Sequence, residues 1–589
     1  MARIAIVDQK KIGTGGCCDD QHCMKVCPIN RTDAECIVMG SKGYALIDEN
    51  LCNGCGICPK KCPYEAIKII NLPEALDKEP IHQYGVNGFR IFNLPIPVFG
   101  KVVGLLGING IGKSTAIKIL AGILKPNMGR IENTNVTYDD LIQYFKGTEN
   151  QLFFEKLRKE EIKVSFKPQQ VDLLPKAMKG NVAELLKKID EKNKFYDVTK
   201  ELELTNVLER DISQVSGGEL QRIAIAATVL KKANLYIFDE PTSYLDIKQR
   251  LKVAKFIKDL ADEKTAVLVI EHDLIILDYM TDFVHIMYGV EDGYGVIGLP
   301  RSTKNGINTF LSGYLPEENV RFRKNKVEFT KREQKDASIK QKLTEWTEIK
   351  KDLGSFKLDA KKGSVYENET IGILGPNGIG KTTFIKILAG VLKSDVGEVE
   401  TKIKVSYKPQ YIDTQSEKTV FELFAHEWED IFFDMHIKKP LHIDKIKHHK
   451  VCELSGGQLQ RVAIADCLTK KCDLYLLDEP SAYLDIEQRL EISKIIRNVM
   501  EVHRKTAIVV DHDLLFLDYI SDKLIVFEGI PAIHGSSFGP VSMNEGMTHF
   551  LKDIGVTFRR DDETLRPRTN KENSQLDKIQ KSENKYYYT

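Results

Sequence analysis

The feature that most constrains this chain is a phosphate-binding loop that occurs twice. One copy spans residues 107–115 and the other 375–383, and each fits the pattern G-x-x-x-x-G-K-[ST]. An apolar, strand-like run precedes each loop and a helical pattern follows it, which is the context that this motif requires. The duplication therefore predicts two α/β domains that bind nucleotide.

In each loop, the glycines let backbone N–H groups curl round a phosphate, and the start of the following helix adds a favourable dipole. Lys113 and Lys381 are expected to reach the β- and γ-phosphates, and Ser114 and Thr382 are expected to ligate Mg²⁺. The predicted nucleotide-binding residues of the two loops are Gly107, Asn109, Gly110, Gly112, Lys113, Ser114 and Thr115, and Gly375, Asn377, Gly378, Gly380, Lys381, Thr382 and Thr383.

Composition and charge exclude several classes of protein. The 589 residues suffice for roughly three to five domains. A net charge of +1 gives no global basic field, so any contact with nucleic acid must come from local patches. No apolar run approaches about 18 residues, which predicts no transmembrane helix, and the early charges argue against a signal peptide. We expect a cytoplasmic protein, with the nucleus as a further compartment.

The cysteines are concentrated near the start of the chain. Nine of the twelve fall within residues 17–62, and the other three are scattered. A secreted disulfide framework would not be confined to one tenth of a large chain without a signal sequence. The placement therefore favours metal or cluster ligation.

The second half of this region matches the bacterial ferredoxin run Cys-x2-Cys-x2-Cys-x3-Cys-Pro at Cys52, Cys55, Cys58 and Cys62. In two-cluster ferredoxins, the fourth cysteine of each run ligates the other cluster. We therefore expect the first three to share one [4Fe–4S] cluster with Cys27, which precedes a proline. A zinc module is the alternative, but zinc sites favour two spaced pairs.

The upstream cysteines are less regular. Cys62 would join Cys23 and either Cys17 or Cys18 on a second [4Fe–4S] cluster, but no well-spaced cysteine stands ahead of Cys17. The second cluster could use both adjacent cysteines, recruit Cys36 or be incomplete. These alternatives stay open on the residues alone.

The motifs downstream of the phosphate loops occur in the same order in both halves. Each half has a glutamine, a Ser-Gly-Gly signature, an Asp-Glu pair that ends an apolar strand, and a histidine that follows a strand. In the first half they are Gln169, Ser216, Gly217, Gly218, Asp239, Glu240 and His272, and in the second Gln410, Ser455, Gly456, Gly457, Asp478, Glu479 and His512.

These residue types suit phosphoryl transfer to water. The aspartates should hold Mg²⁺, and Glu240 and Glu479 are placed to orient or deprotonate the attacking water. His272 and His512 would contact the γ-phosphate, and the glutamines, Gln169 and Gln410, would contact the metal and the water. Since the transferred charge is spread over several oxygens, catalysis would rest mainly on positioning and electrostatics.

Two aromatic residues precede the first loop. The motifs above resemble those of ABC-type ATPases, and the resemblance implies that Tyr84 and Phe89 stand at the distance from the first loop where such proteins stack an aromatic ring on adenine. The alternative, that both are ordinary core aromatics, stays open.

The spacing of the repeat reveals an insertion in the first half. Lys113 and Lys381 are 268 residues apart, but Gln169 and Gln410 are only 241 apart. The extra residues fall at about 138–163, where apolar residues at i, i+3 and i+4 on both sides of Gly147 predict a helix–loop–helix. Because only one half carries it, we interpret it as a partner-binding element rather than as core.

A related basic segment follows each half. Residues 306–326 are echoed by residues 546–571, which include Arg566 and Arg568. The two segments could fold together as a hinge. Their arginines could contact RNA phosphates, form a solvated surface or pair with Asp561 and Asp562. Residues 331–351 are charged and are predicted to form a helical linker.

These motifs resemble the ATP-binding-cassette (ABC) family in both halves. Over essentially the whole chain, the order of modules resembles ABC subfamily E, the RNase L inhibitor family, with Ile-Asn-Leu-Pro at residues 70–73 and Gly-Ile-Gly-Lys in both loops. The resemblance implies two tandem ABC-type nucleotide-binding domains of α/β class and an N-terminal α+β ferredoxin-like domain. The implied domains are residues 1–74 (iron–sulfur), 75–292 (first cassette), 293–340 (hinge 1 and linker), 341–540 (second cassette) and 541–589 (hinge 2 and tail).

In this family, each signature faces the nucleotide of the other lobe. The resemblance therefore implies composite ATP sites that pair Lys113 with Ser455 (site one) and Lys381 with Ser216 (site two). It also implies a monomer whose two lobes close on ATP and separate on hydrolysis. Such a stroke is a population shift set by differential affinity.

The implied function is ATP-driven ribosome recycling, with ATP, Mg²⁺ and two [4Fe–4S] clusters as cofactors. The implied partners are the small ribosomal subunit with its RNA and proteins, a peptide release factor or Pelota-like factor, and initiation factors. Roles in translation initiation and ribosome biogenesis are left open.

Three other classes compete with this interpretation. A transporter ATPase would need a membrane-domain partner, and an iron–sulfur or redox ATPase would need clusters that change state during turnover. A non-catalytic scaffold conflicts with the intact Glu240 and Glu479. A soluble ABC ATPase that acts on another large assembly is the remaining alternative.

Overall fold

The computed structural model describes residues 3–8, 12, 17, 21–32, 34–40, 43–49, 51–71, 79–131, 135–324, 326–327, 329, 341–400, 403–410 and 415–588. It divides into two compact units. The first comprises Met1–Pro241, Ile257–Glu271 and Thr281–Lys326, and the second comprises Thr242–Phe256, His272–Met280 and Val327–Thr589. Two short segments of the first cassette therefore pack with the second unit.

The cysteine-rich module has two antiparallel strand pairs and two one-turn helices, which confirms the α+β expectation. Each helix begins after a residue with positive φ and ends at a Cys-Pro step, so the module repeats internally. Its elements are β1 (Arg3–Val7) paired with β4 (Ile67–Asn71), β2 (Ile37–Met39) paired with β3 (Ala45–Ile47), α1 (His22–Val26) and α2 (Ile57–Lys61).

The first cassette is built on an eight-stranded sheet of order β5-β6-β12-β11-β7-β10-β9-β8. Every residue of β7, β9 and β10 is buried, as expected for parallel strands covered on both faces. The strands are β5 (His82–Gln83), β6 (Arg90–Phe92), β7 (Val102–Leu106), β8 (Val164–Lys167), β9 (Leu235–Asp239), β10 (Ala266–Ile270), β11 (Phe283–Val290) and β12 (Tyr294–Ser302).

Helices follow the strands in the alternating order that the repeat predicts. The phosphate loop lies between β7 and the first of them. The helices are α3 (Lys113–Leu120), α4 (Tyr138–Tyr144), α5 (Glu149–Arg158), α6 (Leu174–Ala177), α7 (Val182–Ile189), α8 (Phe195–Glu201), α9 (Gly217–Val229), α10 (Ile247–Asp259) and α11 (Leu274–Met280).

The predicted helix–loop–helix is present as α4 and α5, joined through Gly147 with φ +82°. Its apolar face belongs to the core of the cassette: Phe154 is 1% exposed and stacks on Phe145 at 5.5 Å between ring centroids. The interpretation of these apolar residues as partner-binding rather than core is therefore wrong. Tyr138 and Leu152 remain exposed and could still meet a partner.

The second cassette repeats the sheet, with order β16-β17-β24-β23-β19-β22-β21-β20. This match confirms two tandem domains of one α/β fold. The strands are β15 (Lys342–Trp346), β16 (Ile349–Asp352), β17 (Lys357–Ala360), β18 (Gly363–Tyr366), β19 (Thr370–Leu374), β20 (Val405–Lys408), β21 (Leu474–Asp478), β22 (Thr506–Val510), β23 (Lys523–Ile530) and β24 (His534–Ser542).

The helices of this cassette occupy the same places along the chain, although residues 433–438 form a π-helix. The signature helix again follows its serine, and a short helix again follows the histidine. The α-helices are α13 (Lys381–Leu388), α14 (Val420–Leu423), α15 (Gly456–Thr469), α16 (Ile486–His503) and α17 (Leu514–Ile520).

The basic segment after each cassette has one design: a helix that ends at a left-handed glycine, then a two-stranded hairpin. The first is α12 (Thr303–Ser312) with β13 (Tyr314–Leu315) and β14 (Val320–Arg321). The second is α18 (Met543–Ile554) with β25 (Phe558–Arg560) and β26 (Pro567–Thr569), followed by α19 (Gln575–Ser582).

The helical linker prediction for residues 331–351 is wrong where it can be checked. Residues 330–340 lie outside the described residues, but 342–346 and 349–352 are strands β15 and β16. Trp346 and Ile349 are buried in the core of the second cassette, and this burial outweighs the helical preference of the charged residues around them. Among the residues that the structure describes, no helix has the length and apolar character needed to cross a bilayer.

Candidate ATP sites and cysteine module

Each phosphate loop wraps around its own lysine. Lys113 Nζ donates to the carbonyls of Gly107 at 2.8 Å and Ile108 at 2.7 Å, and Lys381 makes the matching bonds to Gly375 and Pro376. Burial lowers the pKa of Lys381 to about 8, although nearby carboxylates oppose the shift. The lysine therefore stays charged near neutral pH, as phosphate binding requires.

The last glycine of each loop is required for two reasons. Gly112 and Gly380 have φ of +93° and +94°, where a side chain would be strained. A Cβ on Gly112 would lie 2.5 Å from the ring of Phe89, and one on Gly380 would lie 2.9 Å from the ring of Phe356. Each loop thus closes against an aromatic ring.

These rings are candidates for stacking on adenine. Tyr84 is 48% exposed, and its hydroxyl lies 3.3 Å from Thr115 Oγ1 of the first loop, while Phe89 packs beside it. Sequence reasoning missed Phe356, the counterpart in the second cassette. Its signal was available, because Phe89 and Phe356 precede the loop lysines by 24 and 25 residues.

An aspartate ends the central strand beside each loop. Asp478 is fully buried, and burial is the main reason that its pKa rises to about 6. The Thr382 hydroxyl lies beside it, but no donor in the described part of the chain makes a well-aligned hydrogen bond to either oxygen. Asp239, beside Ser114, also has a raised pKa, chiefly from burial. A buried carboxylate next to a hydroxyl fits a divalent cation.

The two glutamates adopt the same unusual backbone. Glu240 and Glu479 have φ of +47° and +48°, in the left-handed region that non-glycine residues avoid. Gln169 Nε2 donates to Glu240 Oε1 at 2.6 Å, and Gln410 Nε2 donates to Glu479 Oε1 at 2.8 Å. The structure therefore brings each predicted glutamine to its predicted glutamate.

Two further pairs of residues, which sequence reasoning missed, hydrogen-bond to the backbone carbonyls at these glutamates. The buried amines of Lys167 and Lys408 donate to the carbonyls of the Asp-Glu pair, at 2.8 to 3.3 Å. Gln221 and Gln460 each donate to the glutamate carbonyl at 2.6 Å. The lysines could have been found, because both halves read Lys-Pro-Gln.

The histidine of the second cassette faces its glutamate. His512 Nε2 lies 3.5 Å from Glu479 Oε1, and burial followed by the charge of Lys381 lowers the pKa of His512. Burial would raise the pKa of Glu479, but His512, Gln410 and Lys381 together lower it to about 2. The pair is thus a neutral imidazole beside an ionised carboxylate. His272 is likewise buried.

The second loop is also contacted from the first half of the sequence. Asn377 N donates to Asp246 Oδ2 at 3.1 Å, and Asp246 adds to the negative charge around Lys381. Asp246 belongs to the segment 242–256, which packs with the second unit. Residues from both halves therefore build this site.

The signature serines begin helices. Ser216 and Ser455 are the N-caps of α9 and α15, in capping boxes with Glu219 and Gln458. Gly217 and Gly218, and Gly456 and Gly457, form the first turns of these helices. The pairing of each serine with the opposite loop lysine stays a prediction.

The cysteines of the N-terminal module gather in one apolar core. Cys23, Cys27 and Cys58 are buried there, and Cys17, Cys52 and Cys62 are packed against them. Cys55 is exposed, and Cys18 lies outside the described residues. In the described ranges, no three such side chains converge closely enough to hold a metal ion as they stand. The donor set nevertheless fits a [4Fe–4S] cluster, because four thiols at ferredoxin spacing surround the α2 turn.

Cys36 belongs to the same group of thiols. Burial, then the neighbouring Cys27 and Cys52, raise its pKa to about 12. Burial, then the neighbouring thiols of Cys52, Cys55 and Cys23, raise the pKa of Cys58 to about 12. The thiols that sequence analysis assigned to the first cluster, Cys27 included, are therefore close neighbours.

The arginines of the second basic segment have carboxylate partners. Arg566 is 0% exposed and pairs with Asp278, and Arg568 pairs with both Asp278 and Asp561. The RNA-contact alternative is therefore wrong for Arg566, which is fully buried, while the charge of Arg568 is compensated within the second unit. The alternative pairing with Asp561 is confirmed for Arg568.

Comparison with known proteins decides the family. Residues 98–243 and 358–482 match the model of the ABC transporter family, and residues 45–68 match that of the 4Fe-4S binding domain. The chain is 46% identical to the yeast translation initiation factor RLI1 (Saccharomyces cerevisiae), over 100% of this chain and 98% of that one.

Two solved structures are similar over all or most of this chain. One is ABCE1 with ribosome-bound archaeal Pelota: TM-score 0.90 and 51% identity, covering 100% of this chain and 99% of that one. The other is the archaeal ribosome recycling factor aABCE1 with stalk protein aP1: TM-score 0.84 and 51% identity, covering 87% and 100%. The chain belongs to ABC subfamily E.

Membership of subfamily E confirms the resemblance drawn from the sequence. The chain is an ABC ATPase with an iron–sulfur module. An ATPase argues against the non-catalytic scaffold, and the duplicated Gln–Glu and Asp–hydroxyl contacts are the candidates for its catalytic residues.

Proposed function

We propose that this protein uses ATP hydrolysis to split ribosomes into their subunits. The observation that carries the proposal is the similarity to ABCE1 with ribosome-bound Pelota over 100% of this chain, and to a ribosome recycling factor over 87% of it. Two intact sets of ATPase residues add to it. The protein would act in the cytoplasm, where ribosomes translate.

In the chemical step, Glu479 accepts the proton of the attacking water. It is ionised, and Gln410 fixes its carboxylate, so it can orient the water before it accepts the proton. Neutral His512 lies 3.5 Å from the same carboxylate and would donate to the γ-phosphate. Lys381 neutralises charge on the β- and γ-phosphates. Glu240, Gln169, His272 and Lys113 would act in the same way in the first cassette.

Magnesium would be held by Thr382 and Asp478, with Gln410 near, and by Ser114, Asp239 and Gln169 in the first cassette. When bound, Mg²⁺ supplies positive charge to the phosphate oxygens. Asp478 suits this task because burial already disfavours its charge, and a cation would compensate it. The chain's contribution is to keep this carboxylate dry and fixed.

The iron–sulfur module would hold two [4Fe–4S] clusters. We assign Cys52, Cys55, Cys58 and Cys27 to one, and Cys62, Cys23 and Cys17 or Cys18 to the other. Support for the first set comes from the neighbouring thiols in one buried core. Cys36 stays open as an alternative ligand.

The partners follow from the relatives. ABCE1 has been solved with ribosome-bound Pelota and with a ribosomal stalk protein, so we propose a Pelota-like or release factor, the small subunit and the stalk as partners here. RLI1 is named for translation initiation, and we extend contact with initiation factors to this chain. ATP closes the two lobes, and this closure would force the subunits apart.

A subunit-splitting assay tests the proposal. Ribosomes that carry a release factor or a Pelota-like factor are incubated with the protein and ATP, then resolved on a sucrose gradient. We expect conversion of whole ribosomes into subunits. The double variant Glu240→Gln/Glu479→Gln should bind ATP but hydrolyse it about 10²-fold or more slowly, because the proton acceptor is lost.

Two controls make the result specific. Cys55→Ser should lower the iron content while ATP binding persists, so it separates the cluster's role from that of the ATPase. Tyr196→Phe alters a side chain that is 77% exposed and outside both sites, and it should split ribosomes normally. If the unaltered protein hydrolyses ATP but neither binds nor splits ribosomes, the proposed function is wrong.

A further inference from the structure

The short helices after the two histidines carry an aspartate at the same position. Asp278 and Asp518 follow His272 and His512 by six residues, within Leu-Asp-Tyr of α11 and α17. Their side chains are only 2% and 4% exposed. Nothing in the chemistry of ATP hydrolysis uses them, yet a buried carboxylate must be compensated.

Asp278 is compensated by the C-terminal hairpin. Arg568 donates to both carboxylate oxygens of Asp278, from Nε to Oδ2 at 2.8 Å and from Nη2 to Oδ1 at 3.0 Å. Arg566 Nη1 adds a hydrogen bond to Oδ2 at 3.3 Å. A bidentate Arg–carboxylate pair is strong and fixes orientation. The helix α11 also packs on β26, which carries Arg568, within the second unit.

Asp518 is compensated by the same stretch of chain. The hydroxyl of Tyr587 donates to Asp518 Oδ1, that of Tyr588 lies 3.3 Å from the same oxygen, and Arg560 pairs with the carboxylate at 3.4 Å. Arg560 also lies over the ring of Tyr588, 4.4 Å from its centroid. Arg560 is in β25, paired with the strand that carries Arg568, so one hairpin reaches both aspartates.

The other ends of the two helices are linked as well. Asp273 and Asp513 bond backbone N–H groups in the first turns of α11 and α17. Each pairs with an arginine of the preceding long helix, Arg250 at 3.1 Å and Arg489 at 3.0 Å. The charge around Arg489 includes Asp273 as well as Asp513, so the two ion pairs are neighbours.

We propose that residues 558–588 form a C-terminal clamp that couples the two histidines through Asp278 and Asp518. Pulling Arg568 away from Asp278, or Arg560 and the tyrosines away from Asp518, would leave a buried charge uncompensated. Each helix therefore moves with the clamp, and turnover at one ATP site depends on the histidine helix of the other. Asp278 and Asp518 are positioning residues, and this inference rests on ATP hydrolysis alone, not on ribosome splitting.

The test asks whether a change on one helix reaches the other site. In a Glu479→Gln background, only the first cassette's glutamate supports hydrolysis, so kcat and KM report site one. Asp518→Asn in that background should lower kcat at site one about fivefold or more, the usual scale of coupling between sites. Asp518→Glu, which keeps the carboxylate, should restore part of the loss.

A gentler variant guards against misfolding. Tyr587→Phe/Tyr588→Phe removes only the two hydroxyls at Asp518, and it should shift kcat at site one in the same direction. Tyr586→Phe is the matched control. Since the structure shows no contact of the Tyr586 hydroxyl with Asp518, this variant should leave kcat unchanged. In the double variant, hydrogen exchange at residues 274–280 should also become faster.

In a Glu240→Gln background, the same changes report on site two. If Asp518→Asn and the double tyrosine variant alter turnover only there, and site one matches the Tyr586→Phe control, the two histidines are not coupled through the clamp. Failure to split ribosomes would contradict the proposed function without touching this result.

Discussion

At the scale of single residues, the most informative pair is Glu240 and Glu479. A left-handed backbone at a glutamate costs about 1–3 kcal/mol. The same strain recurs in both copies, where Lys167 or Lys408 and a glutamine hold the glutamate carbonyl. At this strained turn, the carboxylate accepts a hydrogen bond from the glutamine of the loop after the neighbouring strand.

Asp478 leads to a prediction about pH. Its pKa is raised to about 6, so below that pH the native protein retains a proton that a metal ion must displace. In a Lys113→Ala chain, where site two alone binds nucleotide well, apparent Mg²⁺ affinity should be flat above pH 7. Below pH 6 the apparent Mg²⁺ affinity should fall about tenfold per pH unit, because binding then releases one proton. Retention of a fluorescent ATP analogue across a Mg²⁺ titration measures it.

The raised pKa of Asp478 also makes the stability of the fold depend on pH. A carboxyl group whose pKa is raised in the folded state contributes stability below its unfolded pKa, and this contribution is lost as pH rises through about 6. Asp478→Asn cannot ionise, so it should remove this pH dependence of stability and also the fall in apparent Mg²⁺ affinity below pH 6. An unchanged slope in Asp478→Asn would contradict the assignment of the metal-binding carboxylate.

At the scale of elements, the helix–loop–helix α4–α5 has one face buried in the cassette core and another exposed to solvent. Phe153 and Phe154 point into the cassette core, while their neighbour Leu152 is 59% exposed. Helical spacing alone predicts an apolar face, but it does not say whether that face meets the parent domain or a partner.

Two substitutions separate these uses. Phe154→Ala should lower the free energy of opening of α4 and α5 by about 3–5 kcal/mol, because it leaves a cavity beside Phe145. Leu152→Ala should change it by less than about 0.5 kcal/mol. Native-state hydrogen exchange of the amides in residues 138–158 measures both. Equal effects would mean that the buried face contributes no more than the exposed one.

At the scale of the whole molecule, the composite arrangement of the ATP sites stays a prediction for the signature serines. Asp246 and Tyr244 already show that the first half of the sequence contributes to the second loop. Whether Ser455 contributes to site one and Ser216 to site two is a separate question, and each serine serves as the other's control.

The expected pattern is a crossed one. In a Lys381→Ala chain, ATP binds chiefly at site one, and Ser455→Arg should weaken it about tenfold or more by removing a hydrogen bond to a charged phosphate. Ser216→Arg in the same chain should leave that affinity unchanged. Equilibrium binding of labelled ATP measures both affinities. A loss caused by Ser216→Arg instead would place each signature on its own lobe.

The sequence by itself determined the parts of this protein that are local in the chain. Loop glycines, the Asp-Glu pair after a strand and the spacing of Cys52, Cys55 and Cys58 each need a fixed residue type at a fixed offset, so they can be found without coordinates. The repeat then doubled every motif, and the order of modules predicted the family and both cassettes.

Only the tertiary structure decided what distant residues do. In the sequence, Arg566 and Arg568 resemble unpaired basic residues, but both pair with Asp278, almost 300 residues earlier. The strand character of residues 342–346 was likewise decided by burial, because Trp346 packs into the core of the second cassette. Burial and charge compensation depend on which segments meet in space, and no local pattern encodes that.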